Sequence, residues 1–282
     1  MTLAAIRERY RPSTRQRRAW QEWRDDLGIL SSDSWRYLSM AKGEGAPKPY
    51  HYRWLLPRLL GEDRRKWANV STASVAGMVP AMWWLTGNPA SGAFAFTLHG
   101  VWDMARRHPV LTDAPAMLAA IVAAAATKHR RWEVAVAASL VAGATRETAP
   151  VFAAVYAWHP LPLIGLVSPL VREFQSEGPD ITDDFSHTCV TDPVGAADQV
   201  RADTSGDWRL YAATLGGLLA GGRGDVRTAA VLVAAYAQLA VAVDTARLIV
   251  WAWPVLADNV TRTQWWPAAL AVSAWNPYRV SA

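Results

Sequence analysis

The chain has 282 residues and a formal net charge of +5, and 51% of its residues are hydrophobic. The charge is unevenly distributed, because residues 1–67 hold 15 Lys or Arg against 8 Asp or Glu, whereas the remainder holds 14 against 16. The single cysteine, Cys189, excludes a framework of intramolecular disulfides, and no zinc-finger, P-loop, dinucleotide-binding or zinc-protease motif is present.

Residues 1–30 form the most basic stretch, with seven arginines before Asp25 and with Trp20 and Trp23 among the charges. This composition predicts a basic amphipathic segment on anionic lipid headgroups, and a solvated charged tail is the alternative. The segment lacks the apolar core of a secretory signal. Nucleic-acid binding is not expected, because no DNA-binding motif follows in the chain.

From residue 68 the chain consists of apolar runs rich in alanine and glycine, as in closely packed membrane helices. Several runs are shorter than the roughly 20 residues that cross a bilayer, so some are expected to be re-entrant or buried. We expect eight or nine membrane segments, and an alanine-rich soluble bundle is the alternative. The runs are residues 69–86, 90–105, 113–127, 132–146, 148–171, 208–222, 226–243, 245–258 and 264–276.

The predicted fold is therefore an all-α, polytopic membrane protein of the cell membrane. A basic N-terminal segment and first loop (residues 1–67) precede a helical membrane domain (residues 68–282). Tryptophans at the borders of apolar runs favour the same interpretation, because Trp concentrates at bilayer interfaces; a Trp-rich soluble core is the alternative. These tryptophans are Trp67, Trp132, Trp158, Trp208, Trp251, Trp253, Trp265, Trp266 and Trp275.

The polar stretch 172–208 interrupts the second half and is predicted to be a long acidic loop. Its acids and its histidine could bind a divalent cation, but their spacing does not fit an EF-hand. A solvated loop is favoured, so neither a metal site nor a cofactor is predicted. The candidate ligands are Asp180, Asp183, Asp184, His187 and Asp192.

The basic run Lys128-His129-Arg130-Arg131 sets the predicted orientation, because positively charged loops stay in the cytoplasm. Alternating the spans from this loop places the segment around Arg146 on the outer face. The same count places residues 33–66 there too, which conflicts with their positive charge.

Single charges at the borders of apolar segments are costly in a membrane, so they mark either function or buried ion pairs. The alternative to a functional role is that Arg146 forms a structural ion pair with Glu147, and Asp244 one with Arg247. The full set is Asp33, Arg53, Asp103, Asp113, Arg146, Glu147, Asp244 and Arg247.

Two motifs near the start of the chain resemble motifs of a known protein family. The first is Asp-x3-Tyr-Leu-x2-Ala-x-Gly from Asp33, and the second is Pro-Tyr-x-Tyr-Arg-x-Leu-x-Pro, which contains Arg53. Together with three later segments they resemble GT-C type glycosyltransferases and their bacterial relatives over residues 33–257. The later segments are LTDAPAM with Asp113, GATRETAPVFAA with Arg146 and Glu147, and VDTARLIVWAWPVL with Asp244 and Arg247.

The resemblance implies transfer of a sugar from a polyprenyl phosphate to an acceptor hydroxyl at the outer membrane face. Asp33 would be the base that accepts the hydroxyl proton, although a helix N-cap is an alternative role for it. Glu147 would orient Arg146 or act as a second acid. The residues expected to bind the lipid phosphate, directly or through a partner, are Arg53, Arg146, Asp113, Asp244 and Arg247.

A second function fits the same sequence. A non-enzymatic membrane scaffold or assembly partner could retain the helical core without the chemistry. Membrane lipids are expected partners in both cases, and the polyprenyl-phosphate sugar donor is expected only for the transferase.

Overall fold

The structure is a computed structural model that describes residues 32–44, 50–98, 100–175, 218, 225–237 and 250–274. These residues form α-helices and short 3₁₀ turns, with no strand among them, which confirms the predicted all-α class. The basic segment 1–30, the predicted run 208–222 except residue 218, and residues 238–249 lie outside the described part.

The α-helices are numbered in chain order within the described ranges. They are α1 (Ser32–Ala41), α2 (Leu55–Leu60), α3 (Arg64–Thr86), α4 (Pro89–Thr97), α5 (Trp102–Arg107), α6 (Asp113–Lys128), α7 (Trp132–Thr145), α8 (Ala149–Ala157), α9 (Val167–Gln175), α10 (Val226–Ala237), α11 (Trp253–Thr261) and α12 (Trp266–Ala274). The 3₁₀ turns are Tyr50–Tyr52, Leu161–Leu166 and Val250–Ala252.

Several predicted runs correspond to single helices and others do not. Helices α3, α6 and α7 lie close to runs 69–86, 113–127 and 132–146, whereas run 90–105 is broken into α4 and α5. Run 148–171 is divided among α8, a 3₁₀ turn and the start of α9. Within the described ranges, no helix combines the length and the apolar character needed to cross a membrane. The domain boundary expected after Trp67 falls inside α3.

Local capping signals fix the hairpin of α3 and α4. The Asp63 carboxylate accepts the backbone N–H of Arg65 at 2.9 Å, so α3 begins directly after Asp63. Gly87 ends α3 in the left-handed conformation (φ +76°), which glycine adopts without a steric penalty. The next residue, Asn88, accepts the backbone N–H of Ala90 at 2.9 Å and starts α4.

Helix α6 is the centre of the fold. Nearly all its side chains between Asp113 and Thr127 are buried, and most of them are alanines. A helix that is apolar on every side must be surrounded, and α3, α7 and α8 pack against it. The fully buried Trp251 and Trp253 complete the main core beside it.

The border tryptophans do not share one environment. Because core and surface positions both occur, a place at the end of an apolar run does not by itself identify an interfacial residue. Trp67, Trp251 and Trp253 are fully buried, Trp132, Trp158 and Trp265 are exposed, Trp266 is half-buried, and Trp208 and Trp275 lie outside the described residues.

The helical body has two distinct ends. At the C-terminal end of α6, the Lys128 ammonium donates to the Leu85 carbonyl at 2.7 Å, and a His129 ring nitrogen lies 2.8 Å from the Trp84 carbonyl. These contacts join the end of α6 to the end of α3, and we call this the basic end. The opposite end, where α6 starts at Asp113, is called the cluster end.

Helix α7 and the Leu161–Leu166 turn touch through their backbones. A Cβ atom on Gly143 would lie 1.9 Å from the carbonyl oxygen of Gly165, and one on Gly165 would lie 2.1 Å from the carbonyl oxygen of Ser139. Only glycine permits this approach, so the two segments are packed without side-chain spacers.

Replacing Gly143 with alanine is expected to destabilise the fold by about 1–3 kcal/mol, because backbone atoms cannot yield to the new methyl group. The matched control is Gly77→Ala in α3, where the new methyl group meets only the flexible Leu118 side chain at 3.1 Å. Thermal unfolding of the purified variants measures the difference. Equal melting temperatures for the two variants would contradict the close backbone contact.

Candidate functional site

The candidate site lies at the cluster end, where four segments meet. They are the first turns of α1, the Tyr50–Tyr52 turn with Arg53, the start of α6, and the connection between α7 and α8. A small apolar core beneath them contains Trp67 and Leu111 and fixes α1 against the start of α3. Chain segments distant in sequence therefore contribute side chains to one place.

Arg53 and Glu147 form a bidentate ion pair. The Arg53 Nε donates to Glu147 Oε2 at 2.8 Å, and Nη2 donates to Oε1 at 2.6 Å. The remaining terminal nitrogen, Nη1, donates to the Tyr37 hydroxyl at 2.8 Å. Arg53 is only 7% exposed, so this charge is held in the protein interior by paired hydrogen bonds.

Arg146 and Asp113 form a second ion pair next to the first. The Arg146 Nη1 donates to Asp113 Oδ1 at 2.5 Å, and both residues are buried. The Arg146 guanidinium also lies 5.7 Å from the ring centre of Trp251, a cation–π distance. The consecutive residues Arg146 and Glu147 thus reach partners on two different segments.

Two tyrosines link Asp33 to these pairs. The Tyr50 hydroxyl donates to Asp33 Oδ1 at 2.6 Å, and the Tyr50 ring lies edge-on to Tyr37, 5.7 Å away. Tyr37 contacts Arg53 and, at 3.3 Å, the Thr112 hydroxyl. Because α1 begins at Ser32, Asp33 lies in its first turn, where the helix dipole favours a carboxylate, and not at the N-cap position.

The protonation states follow from these surroundings. Burial of the phenol raises the pKa of Tyr50 to about 12, with a further contribution from the Asp33 carboxylate, so Tyr50 remains a proton donor at neutral pH. Burial alone would raise the pKa of Glu147. The charge of Arg53 and its hydrogen bonds outweigh this effect, so the pKa of Glu147 lies below its ordinary value. Glu147 is therefore ionised at neutral pH.

Most of the residues selected from the sequence meet here. Asp33, Arg53, Asp113, Arg146 and Glu147 all belong to this one polar network. The two predicted residues Asp244 and Arg247 lie outside the described residues, as do the candidate cation ligands of the acidic loop. In the part of the chain that the structure describes, no group of three or more His, Cys, Asp or Glu side chains could hold a metal ion.

Four residues that were not among the predicted site residues hold the network together: Tyr37, Tyr50, Thr112 and Trp251. Tyr37 follows Asp33 by four residues, so the two share a helix face, and this spacing is readable from sequence. Tyr50 lies within the Pro-Tyr-x-Tyr-Arg motif that contains Arg53. Thr112 and Trp251 join only through the tertiary fold.

A small cavity borders the cluster. Asp113 and His108 line it together with Ser71, Met104 and Met117, and it has room for about one water molecule. A lipid-linked sugar would therefore need the cluster to open before it could bind beside Asp113.

Comparison of the chain with protein-family models, with curated proteins and with solved structures finds no match. The GT-C resemblance therefore stays a prediction.

Asp113→Asn is expected to destabilise the protein by about 3–5 kcal/mol, because it leaves the buried Arg146 without its carboxylate. The control is Lys42→Gln, which breaks the exposed Lys42–Glu62 contact at 3.6 Å and should cost no more than about 1 kcal/mol. Chemical or thermal unfolding of both variants gives the comparison. A loss for Asp113→Asn no larger than that of the control would show that the buried pair adds no stability.

The depressed pKa of Glu147 predicts an acid-dependent loss of stability. The folded state binds fewer protons than the unfolded state as the pH falls below the ordinary value of 4.5, so stability declines there. Above that value the contribution is fully present. Glu147→Gln should flatten the fall in melting temperature below this pH, whereas Glu62→Gln on the surface should not. Unchanged acid sensitivity in Glu147→Gln would contradict the assignment.

Proposed function

We propose that the chain is a multi-pass protein of the cell membrane that transfers a sugar from a polyprenyl phosphate to an acceptor hydroxyl. The observation that carries the proposal is the convergence of Asp33, Arg53, Asp113, Arg146 and Glu147 on one end of the helical body. A helical scaffold without a site would be expected to scatter such ion pairs among its helices.

In the proposed reaction, Asp33 accepts the proton of the acceptor hydroxyl as that oxygen bonds to the anomeric carbon of the sugar. The bond between this carbon and the phosphate oxygen breaks, and its electron pair leaves with the polyprenyl phosphate. The Tyr50 hydrogen bond to Asp33 holds the carboxylate in one orientation. General-base assistance of this kind typically contributes a factor of about 10² to 10⁴ in rate.

Arg53 and Arg146 are suited to the charge that develops on the leaving phosphate. Both are already paired, so the donor phosphate must displace a carboxylate to reach them. Glu147 is the more accessible of the two partners, with 22% of its side chain exposed against 9% for Asp113. We therefore assign Glu147 as the group that yields its place on Arg53, while Asp113 continues to hold Arg146.

The distribution of polarity supports a membrane location. The Arg53–Glu147 and Arg146–Asp113 ion pairs lie inside the helical body, whereas many aliphatic and aromatic side chains face outward. Helix α9 exposes an apolar stripe at spacing i, i+3, i+4 and i+7 while Ser168 and Arg172 face Trp54 of the protein. An exposed apolar stripe of this kind is typical of a surface that meets lipid or another protein. The exposed side chains include Val134, Leu140, Val141, Val151, Leu163, Ile164, Val167, Leu170, Val171 and Phe174.

The two ends of the body support the proposed orientation. The cluster end and the basic end lie at opposite ends of α6, so a cytoplasmic Lys128–Arg131 run would put the cluster on the outer face. Arg53 and Arg146 then share this face. Residues 33–53 contact the Arg146 region, so the two lie on the same face. This favours the outer face for residues 33–66, as the count of spans predicts, over the cytoplasmic side that their positive charge would predict.

The scaffold alternative is favoured by one specific observation. Arg53 and Arg146 each have a carboxylate partner, as expected for structural ion pairs that bind no ligand. In that case the cluster would fix the fold and would not release Glu147.

Binding and turnover together test the proposal. Undecaprenyl phosphate is the kind of lipid phosphate that the proposed transfer releases. It should bind the purified chain in native mass spectrometry. Arg53→Gln should weaken binding about tenfold or more, because a charge-assisted contact to phosphate is lost. Asp33→Asn should bind like the wild-type chain and lose turnover of a panel of radiolabelled polyprenyl-phosphate hexoses and pentoses.

The matched control is Arg58→Gln, which removes an exposed cation five residues from Arg53 and outside the cluster. It should change neither binding nor turnover. Turnover by Asp33→Asn at the wild-type rate would remove Asp33 as the base, and folded wild-type chain that binds no undecaprenyl phosphate would favour the scaffold. Release from membranes by high salt without detergent would contradict the membrane location.

A further inference from the structure

The basic end carries a surface built from two neighbouring helix ends, those of α6 and α8. Within residues 128–133 three Lys or Arg stand against one acid, Glu133. Arg130 and Arg131 are exposed directly after α6, Trp132 is exposed at the start of α7, and Trp158 and His159 are exposed directly after α8. The rings of Trp132 and His159, 6.1 Å apart, join the two ends into one surface.

Both helices end with the same uncommon backbone feature. Arg130 (φ +56°) and Trp158 (φ +52°) occupy the left-handed conformation of a helix cap. The following residues complete the caps, since Arg131 N–H donates to Ala126 O at 2.8 Å and His159 N–H to Ala154 O at 3.0 Å. Glycine is the usual residue at this position, because a side chain there is unfavourable. The chain instead places an arginine and a tryptophan there.

Contacts of the two side chains within the described part of the protein do not offset the unfavourable left-handed backbone conformation. Arg130 and Arg131 form neither ion pairs nor side-chain hydrogen bonds with the described residues, and Trp158 is 54% exposed. Lys128 and His129 differ, because they bind carbonyls at the end of α3 and serve the fold. A partner outside the chain is the natural reason for exposed residues in a strained position.

The order of side chains along α7 identifies the chemistry of that partner. Moving from the basic end, the exposed residues are first Arg130 and Arg131, then Trp132 beside the acidic Glu133, then the apolar Val134 and Val141. This order matches the layers of a bilayer with anionic headgroups. Cations suit the charged surface, tryptophan suits the interface, and aliphatic side chains suit the hydrocarbon.

We propose that Arg130, Arg131, Trp132 and Trp158 form a binding surface for the headgroups of anionic phospholipids. The arginines contact the phosphate layer, and the tryptophans lie at the level where headgroups meet acyl chains. This inference rests on the membrane location in the proposed function and not on glycosyl transfer. The surface also lies at the end of the body opposite Asp33 and Arg53.

The test is lipid selectivity of the full chain in a nonionic detergent. The protein is mixed with equal amounts of phosphatidylglycerol and phosphatidylcholine, and native mass spectrometry measures the ratio of the bound lipids. The wild-type chain should prefer phosphatidylglycerol. Arg130→Gly combined with Arg131→Gln should reduce the preference by about fivefold for each charge removed. Its melting temperature should not fall, because glycine suits the left-handed position.

The matched control is Arg65→Gln with Lys66→Gln, which removes two exposed cations from the other end of α3. It should keep the wild-type preference. Equal binding of the two lipids by the wild-type chain, a retained preference in the Arg130 and Arg131 variant, or an equal loss in the control would each overturn the inference. If the double variant melts lower, Arg131→Gln alone is measured, with the same direction expected.

The two proposals fail separately. A chain that prefers phosphatidylglycerol but binds no undecaprenyl phosphate would retain this surface and lose the glycosyltransferase proposal. A chain that binds undecaprenyl phosphate without preferring phosphatidylglycerol would retain the proposed function and overturn this surface.

Discussion

Arg146 and Glu147 are neighbours in the chain, yet their side chains are held by Asp113 on α6 and by Arg53 beyond α1. One short connection between α7 and α8 therefore ties together segments that lie up to 94 residues apart. Burying charges is favourable only when every partner is in place. The positions of α1, α6 and the α7–α8 connection consequently depend on one another, and the small apolar core under Tyr37 supports the same arrangement.

The rest of the helical body has an apolar interior, and its close helix packing depends on small side chains. Alanines of α6 let α3, α7 and α8 approach, and the polar groups collect at its two ends. A further polar group at the basic end pairs the buried Asp258 with Arg262 and Arg227.

The sequence predicted the class of the fold and much of the cluster, for identifiable reasons. Caps such as Asp63 and Gly87 and the apolar period mark helices locally, and lone charges in apolar surroundings stand out. The pairing of these charges was not predictable. Adjacent Arg146 and Glu147 offered a local ion pair, and only the tertiary fold directs each of them to a distant partner. Likewise nothing local distinguishes the buried Trp251 from the exposed Trp158, because both border apolar runs. The same limit applies to run 90–105, which reads as one apolar segment and folds as two helices.

The contact between Gly143 and Gly165 also determines where the protein can yield. Because the two backbones are in direct contact, no side chain between them could rotate to absorb a movement, so we expect α7 and the Leu161–Leu166 turn to move together. Arg146 and Glu147 directly follow α7, so their backbone is held in place by this contact. If the cluster opens, we expect the movement to occur on the opposite side, in the segment that carries Arg53. Glu147 would then give up its place on Arg53 because Arg53 moves away from it, and not because Glu147 itself moves.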